Sequence, residues 1–317
     1  MRRASSRLPV IACALAAACQ SPATPDDTGG APPADSGPAP LVEPSGACPD
    51  IPGSGDYEIT AGGLSRRFTV VAPTAPSGPV GLTFFFHGLM GASGPDPAAY
   101  FARSLGLQAT ADEAGMVFVL PVSGVMSLAA QEFYLWDIAL DTTADLTLYD
   151  DLRTCVARAF DVDLSRTVAA GFSGGALFTT VIAAQRSDTL AAIVEGSGGA
   201  DLSVPIWEQT AAAYAPPAQP LPALLITGGE QDVWPDPTFT IVDFVAATDT
   251  LQARRAADGL ASVRCDHGRG HTLTNAAWDL SLAWITGHRF GAPSPWEDAS
   301  ALGDDADWCA LVPASAG

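Results

Sequence analysis

Lysine is absent from this sequence of 317 residues: its 15 basic residues are all arginine, set against 35 acidic ones. The resulting net charge of −20 repels phosphate backbones, so nucleic acid is excluded as an expected partner. Charged residues make up only 16% of the chain against 48% hydrophobic, a balance that excludes wholesale disorder and allows a substantial core. Long apolar runs are missing as well. The run at residues 8–18 is too short to cross a bilayer as a helix. Histidine is scarce, with four residues in all, so chemistry that needs an imidazole has few candidates. No two of the cysteines beyond residue 19 are closely spaced, which speaks against zinc.

The N-terminus carries Arg2, Arg3 and Arg7, then the short apolar run, then Ala16-Ala17-Ala18-Cys19, the layout of an export signal over residues 1–19. This end resembles the lipobox of bacterial lipoproteins, whose cysteine is lipidated after cleavage. Leu15 stands one place further from Cys19 than the commonest pattern has it, so simple release by signal peptidase stays open. An exported protein follows in either case, touching a membrane only through a lipid anchor. Residues 20–47 hold seven prolines, four glycines, four acids and no basic residue, and read as a disordered spacer. Residues 48–317 show no repeat and no second linker, and form one domain, expected to be monomeric.

Within that domain, residues 57–60 and 66–72 are paired strands around a Gly62-Gly63 turn. Residues 82–86 form a continuous apolar run, as in a strand covered on both faces. Helices are expected over 98–113, 146–160, 176–185, 241–257 and 276–288, alternating with strands over 116–120, 167–170, 191–195, 223–227 and 261–265. Such alternation indicates a mostly parallel central sheet with helices on both faces.

Gly171-Phe172-Ser173-Gly174-Gly175 lies between an expected strand and helix, the setting of a nucleophile elbow, with Gly171 and Gly175 as the small residues the sharp turn needs. A serine hydroxyl needs a base within hydrogen-bond reach, itself oriented by an acid. Of the four histidines, His267 and His271 follow the last strand, where this arrangement places its base; Gly270 lets the loop bend and favours His271. The acid should follow the preceding strand. Asp232 is the leading candidate there, with Glu230 and Asp236 as rivals. The order serine, acid, histidine along the chain is that of the α/β-hydrolase fold. Two backbone donors for an oxyanion are expected from Gly174 and from Leu89, in the loop His87-Gly88-Leu89-Met90-Gly91. His87 would hold that loop, with Gly88 permitting its turn.

With these motifs in hand, the domain resembles the secreted esterases of polyhydroxybutyrate-depolymerase type, grouped with feruloyl and acetyl-xylan esterases. The likeness rests on the His87–Gly91 loop, the stretch from Tyr100 to Pro121 ending in "ADEAGMVFVLP", the Asp150-Asp151 pair, the "RTVAAGFSGG" elbow and the "CDHGRGH" loop. It implies hydrolysis of carboxylic esters, often on polymers, through an acyl-enzyme without metal or cofactor. No separate polymer-binding module is present, and the short connection between residues 195 and 223 leaves a small or absent lid. Trp136, Trp207 and Trp234 are candidates for an apolar pocket, core packing accounting for each about as well. A serine peptidase or thioesterase with the same triad, or a surface lipoprotein that only binds, are the rival readings.

Cys48, Cys155, Cys265 and Cys309 are an even number in an exported chain, which points to two disulfides with three possible connectivities. In an α/β-hydrolase sheet the first strands lie at one edge and the last strand at the other. Cys48 precedes the first strand and Cys155 lies in a helix nearer that edge, whereas Cys265 and Cys309 belong to the other end. Cys48–Cys155 and Cys265–Cys309 are therefore the more reachable pairs, although a tail running along the sheet would permit the crossed ones.

Overall fold

A computed structural model describes residues 37–128, 130–204, 209–296 and 307–315. The export signal and Cys19 lie outside the described residues, as does Trp207. The chain opens with the antiparallel strands β1 (Gly55–Ala61) and β2 (Leu64–Val71), then β3 (Val80–Phe86), whose residues are all buried. The short strand β4 (Met90–Gly91) leads into helices α1 (Pro97–Ser104) and α2 (Leu107–Ala114), then strands β5 (Met116–Pro121), β6 (Val125–Leu128) and β7 (Gln131–Tyr134). Helix α3 (Ala144–Ala159) is followed by β8 (Val162–Phe172), α4 (Gly174–Arg186), β9 (Ala192–Gly196) and β10 (Ala223–Thr227). A hairpin of β11 (Val233–Asp236) and β12 (Phe239–Asp243) enters α5 (Phe244–Ala257), and β13 (Ser262–Asp266), α6 (Asn275–Gly287) and β14 (Cys309–Val312) complete the order.

Among the described residues, the main sheet has nine strands in the order β1-β2-β5-β3-β8-β9-β10-β13-β14. The run from β5 to β13 is parallel, with antiparallel strands at both edges. Side chains alternate across it with the period of two that a strand imposes. Leu82, Phe84 and Phe86 of β3 join one core with α3, α4 and α5; Phe85 joins the other with α1, α2 and α6. At about 25 cal/mol per Å² of apolar surface, these two layers are the main stabilising term.

Several expected elements change shape. The helix expected over 98–113 is two helices, because Gly106 adopts a left-handed conformation (φ 61°) between them. The helix expected from residue 241 begins at Phe244, and residues 239–243 pair instead as β12.

The expectation of a disordered spacer through residue 47 is also corrected. Arg153 of α3 is almost fully buried and hydrogen-bonds the carbonyls of Ala39 and Pro40, while Asp151 accepts from the Ser45 amide and hydroxyl. Thr154 donates to the Val42 carbonyl. A buried guanidinium needs acceptors, and the Ala39 and Pro40 carbonyls supply them, so the segment docks through its backbone while its larger apolar side chains, Leu41 and Val42, stay exposed. The disulfides join Cys48 to Cys155 and Cys265 to Cys309. They close loops 107 and 44 residues apart in sequence at the two ends of the sheet.

Candidate active site

The parallel register places the carboxyl ends of β3, β8, β9, β10 and β13 side by side, and the loops leaving them build the site, as is usual for open α/β sheets. Ser173 sits at the turn from β8 to α4 with φ 57° and ψ −125°, a strained backbone for a residue other than glycine. The turn closes only because two glycines flank it. A Cβ on Gly171 would collide with the Gly175 carbonyl, and one on Gly175 with the Phe86 carbonyl. The Ser173 amide donates to the Gly196 carbonyl at 2.8 Å, which fixes the elbow to β9.

His271 Nε2 lies 2.9 Å from Ser173 Oγ, and its Nδ1 lies 2.7 Å from Asp232 Oδ1. A carboxylate only accepts, so Nδ1 carries the proton and Nε2 presents its lone pair to the serine hydroxyl. The loops bearing Asp232 and His271 meet backbone to backbone. The Gly270 amide (φ 71°) donates to the Gly228 carbonyl at 2.7 Å, and a Cβ on Gly228 would strike Gly270. Asp232 is fully buried, and its Oδ2 accepts from Ser197 Oγ (2.9 Å) and the Gly228 amide (2.8 Å).

The structure thus brings Ser173, Asp232 and His271 together. His267 lies away from them, with its Nδ1 accepting from the Arg269 amide and its ring edge-on to Trp308. Glu230 is exposed, and Asp236 is exposed and engaged by Thr238.

The loop after β3 approaches Ser173 from the other side. A Cβ on Gly88 would stand 3.1 Å from Ser173 Cβ, and one on Gly174 3.4 Å from the Leu89 nitrogen, so the Leu89 and Gly174 amides border the same space. Gly174 is the first residue of α4, whose amide has no partner within the helix, and the helix dipole favours negative charge there.

His87 is buried and forms the spine of this loop. Its Nε2 accepts from the Ser123 amide (3.1 Å), so its Nδ1 holds the proton and donates to the Gly88 carbonyl (2.7 Å). Burial brings its pKa down to about 4, against 6.5 for a free imidazole, so it stays neutral at working pH.

Trp136 corrects the pocket expectation. It is 1% exposed, stacks on Phe178, and donates its indole N–H to the His87 carbonyl at 2.8 Å. It braces the His87–Gly91 loop and packs in the core, because an indole with a buried acceptor gains more inside than at a surface. Trp234, on β11, is half-buried and packs against the core. Ser197, Phe172 and Phe244 are the site residues that sequence reasoning missed. No pattern at Ser197 marks it as a donor to an acid 35 positions away.

No family model matches this sequence, and no curated protein does either. Solved structures do. The native form of the protein called pOPH is 18% identical with a TM-score of 0.67, over 86% of this chain and 98% of that one. The S-formylglutathione hydrolase from Agrobacterium tumefaciens is 17% identical with a TM-score of 0.57, over 74% of this chain and 96% of its own. This chain has the α/β-hydrolase fold. A ferulic acid esterase shares it at 14% identity and a TM-score of 0.56, over 74% of this chain and 97% of its own. Among the described residues no cluster of three or more His, Cys, Asp or Glu is arranged to hold a metal, and no helix is long and apolar enough to cross a membrane.

Proposed function

We propose that this protein is a carboxylic ester hydrolase that works through an acyl-enzyme on Ser173. The observation that carries the reading is the continuous chain Ser173 Oγ, His271, Asp232, with links of 2.9 and 2.7 Å. Similar structures named as an S-formylglutathione hydrolase and a ferulic acid esterase agree with it.

Ser173 Oγ attacks the ester carbonyl carbon as Nε2 of His271 takes the hydroxyl proton, and Asp232 steadies the imidazolium. The carbonyl oxygen becomes an oxyanion that the Leu89 and Gly174 amides receive. Losing one such donor typically costs about 3–4 kcal/mol. Nε2 then returns its proton to the departing alcohol as the C–O bond breaks. Water repeats the sequence on the acyl-serine and releases the acid.

Among the described residues, the connection at 197–222 contains no helix, which supports a small or absent lid. An open site favours short acyl groups, aromatic esters or the exposed esters of a polymer. The two disulfides suit an oxidising compartment. With them, the N-terminal signal supports an exported enzyme, either held to the envelope by lipid on Cys19 or released by signal peptidase.

Ser173→Ala tests the core of this reading. It should abolish both p-nitrophenyl acetate hydrolysis and labelling by a fluorophosphonate, with an unchanged melting temperature. Normal turnover in the variant would overturn the assignment. Matched ester, thioester and amide substrates then rank the leaving groups, with the ester expected first; a preference for amides would make the protein a peptidase.

A further inference from the structure

The His271 ring lies between two aromatic faces. Phe244 stacks on one side with centroids 4.4 Å apart and planes 10° from parallel. Phe172 covers the other at 5.0 Å and 25°. The two rings come from opposite layers: Phe244 belongs to the core with α3, α4 and α5, and Phe172 packs against the core with α1, α2 and α6. Phe244 also donates its amide to the Asp232 carbonyl (3.0 Å) and is the first residue of α5, which Asp243 caps by accepting from the Ala246 amide. One residue therefore anchors the acid's backbone and faces the base. We propose that Phe244, with Phe172 opposite, is a positioning residue for the general base: the pair holds the imidazole in the plane that points Nε2 at Ser173, and its π faces stabilise the positive charge that the ring gains with the serine proton.

A ring clamped on both faces cannot rotate about its Cβ–Cγ bond without displacing a buried phenyl, so the tautomer selected by Asp232 stays aimed at Oγ. A cation within about 6 Å of an aromatic centroid is also attracted by the ring quadrupole, most strongly where water is excluded. Both distances fall within that range, and Phe244 is 2% exposed. The attraction is small for the neutral ring and full for the imidazolium, so it acts on the transition state more than on the resting enzyme.

The inference rests on reading Ser173, His271 and Asp232 as the catalytic triad, and its test separates the two. Phe244→Leu keeps a buried apolar side chain, somewhat smaller than phenyl, and removes the π face. Turnover of p-nitrophenyl acetate per phosphonate-titrated serine should fall roughly tenfold, about the size of one desolvated cation–π contact. The acid limb of the kcat/KM profile should move to lower pH by about half to one unit, because the protonated ring has lost a stabilising neighbour.

Other charged or titratable groups near the triad stay in place in that variant. They are Asp232 at Nδ1, Arg264 on β13 whose charge reaches Asp232, Asp243 at the start of α5, and His267, Arg269 and Glu230 in the flanking loops. Phe244→Tyr should restore both readouts, and Phe172→Leu should show a smaller loss, since its ring is farther and more tilted. The same midpoint, read by NMR on the His271 ring, reports the clamp whether or not the protein turns over. Should the wild type resist phosphonate, the triad reading fails while the ring titration still judges the clamp. An unmoved midpoint together with unchanged turnover per titrated site in Phe244→Leu overturns the proposal.

Discussion

Asp232 and Glu195 are both buried carboxyls at the carboxyl ends of adjacent parallel strands, and their surroundings are opposite in kind. Asp232 meets three donors: the His271 Nδ1–H on one oxygen, and the Ser197 hydroxyl and Gly228 amide on the other. A group that only accepts is satisfied there in its charged form. Glu195 meets fewer. Its Oε2 accepts from the Gly199 amide at 3.0 Å, and its Oε1 lies 2.8 Å from Thr180 Oγ1. That hydroxyl is also 2.8 Å from the Gly199 carbonyl, which can only accept. One hydroxyl proton cannot serve both. If it goes to the carbonyl, Glu195 must carry a proton of its own and donate it to Thr180. Burial acts in the same direction and pushes Glu195 up to about 8. Arg255, nearby and equally buried, spends its guanidinium on Ser262, Leu221 and Ala261 and pulls Glu195 down only as a weaker influence. The pair teaches that the number of donors, and not depth alone, decides whether a buried carboxyl is held charged.

The largest effect that would break this comparison is on turnover. Asp232→Asn keeps the shape but sets an amide where a carboxylate must accept, so the imidazole is left in the wrong tautomer. A loss of about 10⁴-fold in kcat is expected. Glu195→Gln should leave kcat near the wild-type value, because Glu195 touches no member of the triad. An Asp232→Asn variant within tenfold of wild type would remove the distinction between the two carboxyls.

The second effect is on stability, and its sign follows from the raised pKa. A carboxyl that ionises at about 4.5 when unfolded and about 8 when folded stabilises fully below pH 4.5 and loses that contribution as the pH rises towards 8. Glutamine does not titrate. The stability of Glu195→Gln relative to wild type should therefore rise with pH across this window, by roughly 3–5 kcal/mol in total at 1.36 kcal/mol per unit. Urea melts at pH 4.5, 6 and 8 would measure it. A gap that stays flat with pH would mean that Glu195 is ionised in the fold.

Much of this architecture is legible in the sequence for a simple reason. The buried strands are short, continuous apolar runs, and the turn at Ser173 leaves no room for a Cβ at Gly171 or Gly175. The disulfide connectivity followed from sheet order, because each pair lies at its own end of the sheet. What escaped depends on loops meeting one another. The β11–β12 hairpin takes residues whose apolar spacing also suits a helix, and only pairing between the two strands decides the matter. Strand β14 is four residues that pair with β13 beside a disulfide, too short to carry a periodic signal of its own. Sequence leaves Trp136 open between pocket and core, because the carbonyl that receives its indole belongs to a loop 49 positions earlier. The choice of His271 over His267 was open to reasoning through Gly270, but the contact of Gly270 with Gly228 that enforces it was not.

The smallest effect concerns Ser197, and it asks whether the donors around Asp232 act separately or as a set. Ser197 is buried with φ 53°, and its amide donates to the Ile226 carbonyl at 2.8 Å, so its hydroxyl has little freedom to do anything but face Asp232 Oδ2. Ser197→Ala removes that donor and leaves the Gly228 amide alone on the oxygen. Leaving a buried acceptor short of a partner costs about 1–3 kcal/mol, which should appear as a fall in melting temperature. Turnover should fall roughly tenfold, because the carboxylate is less firmly oriented towards Nδ1. In the Asp232→Asn background the same substitution should change kcat little, since no carboxylate remains to be oriented and residues acting as one unit are not additive. Full multiplication of the two losses in the double variant would mean that Ser197 serves the site by a route other than Asp232.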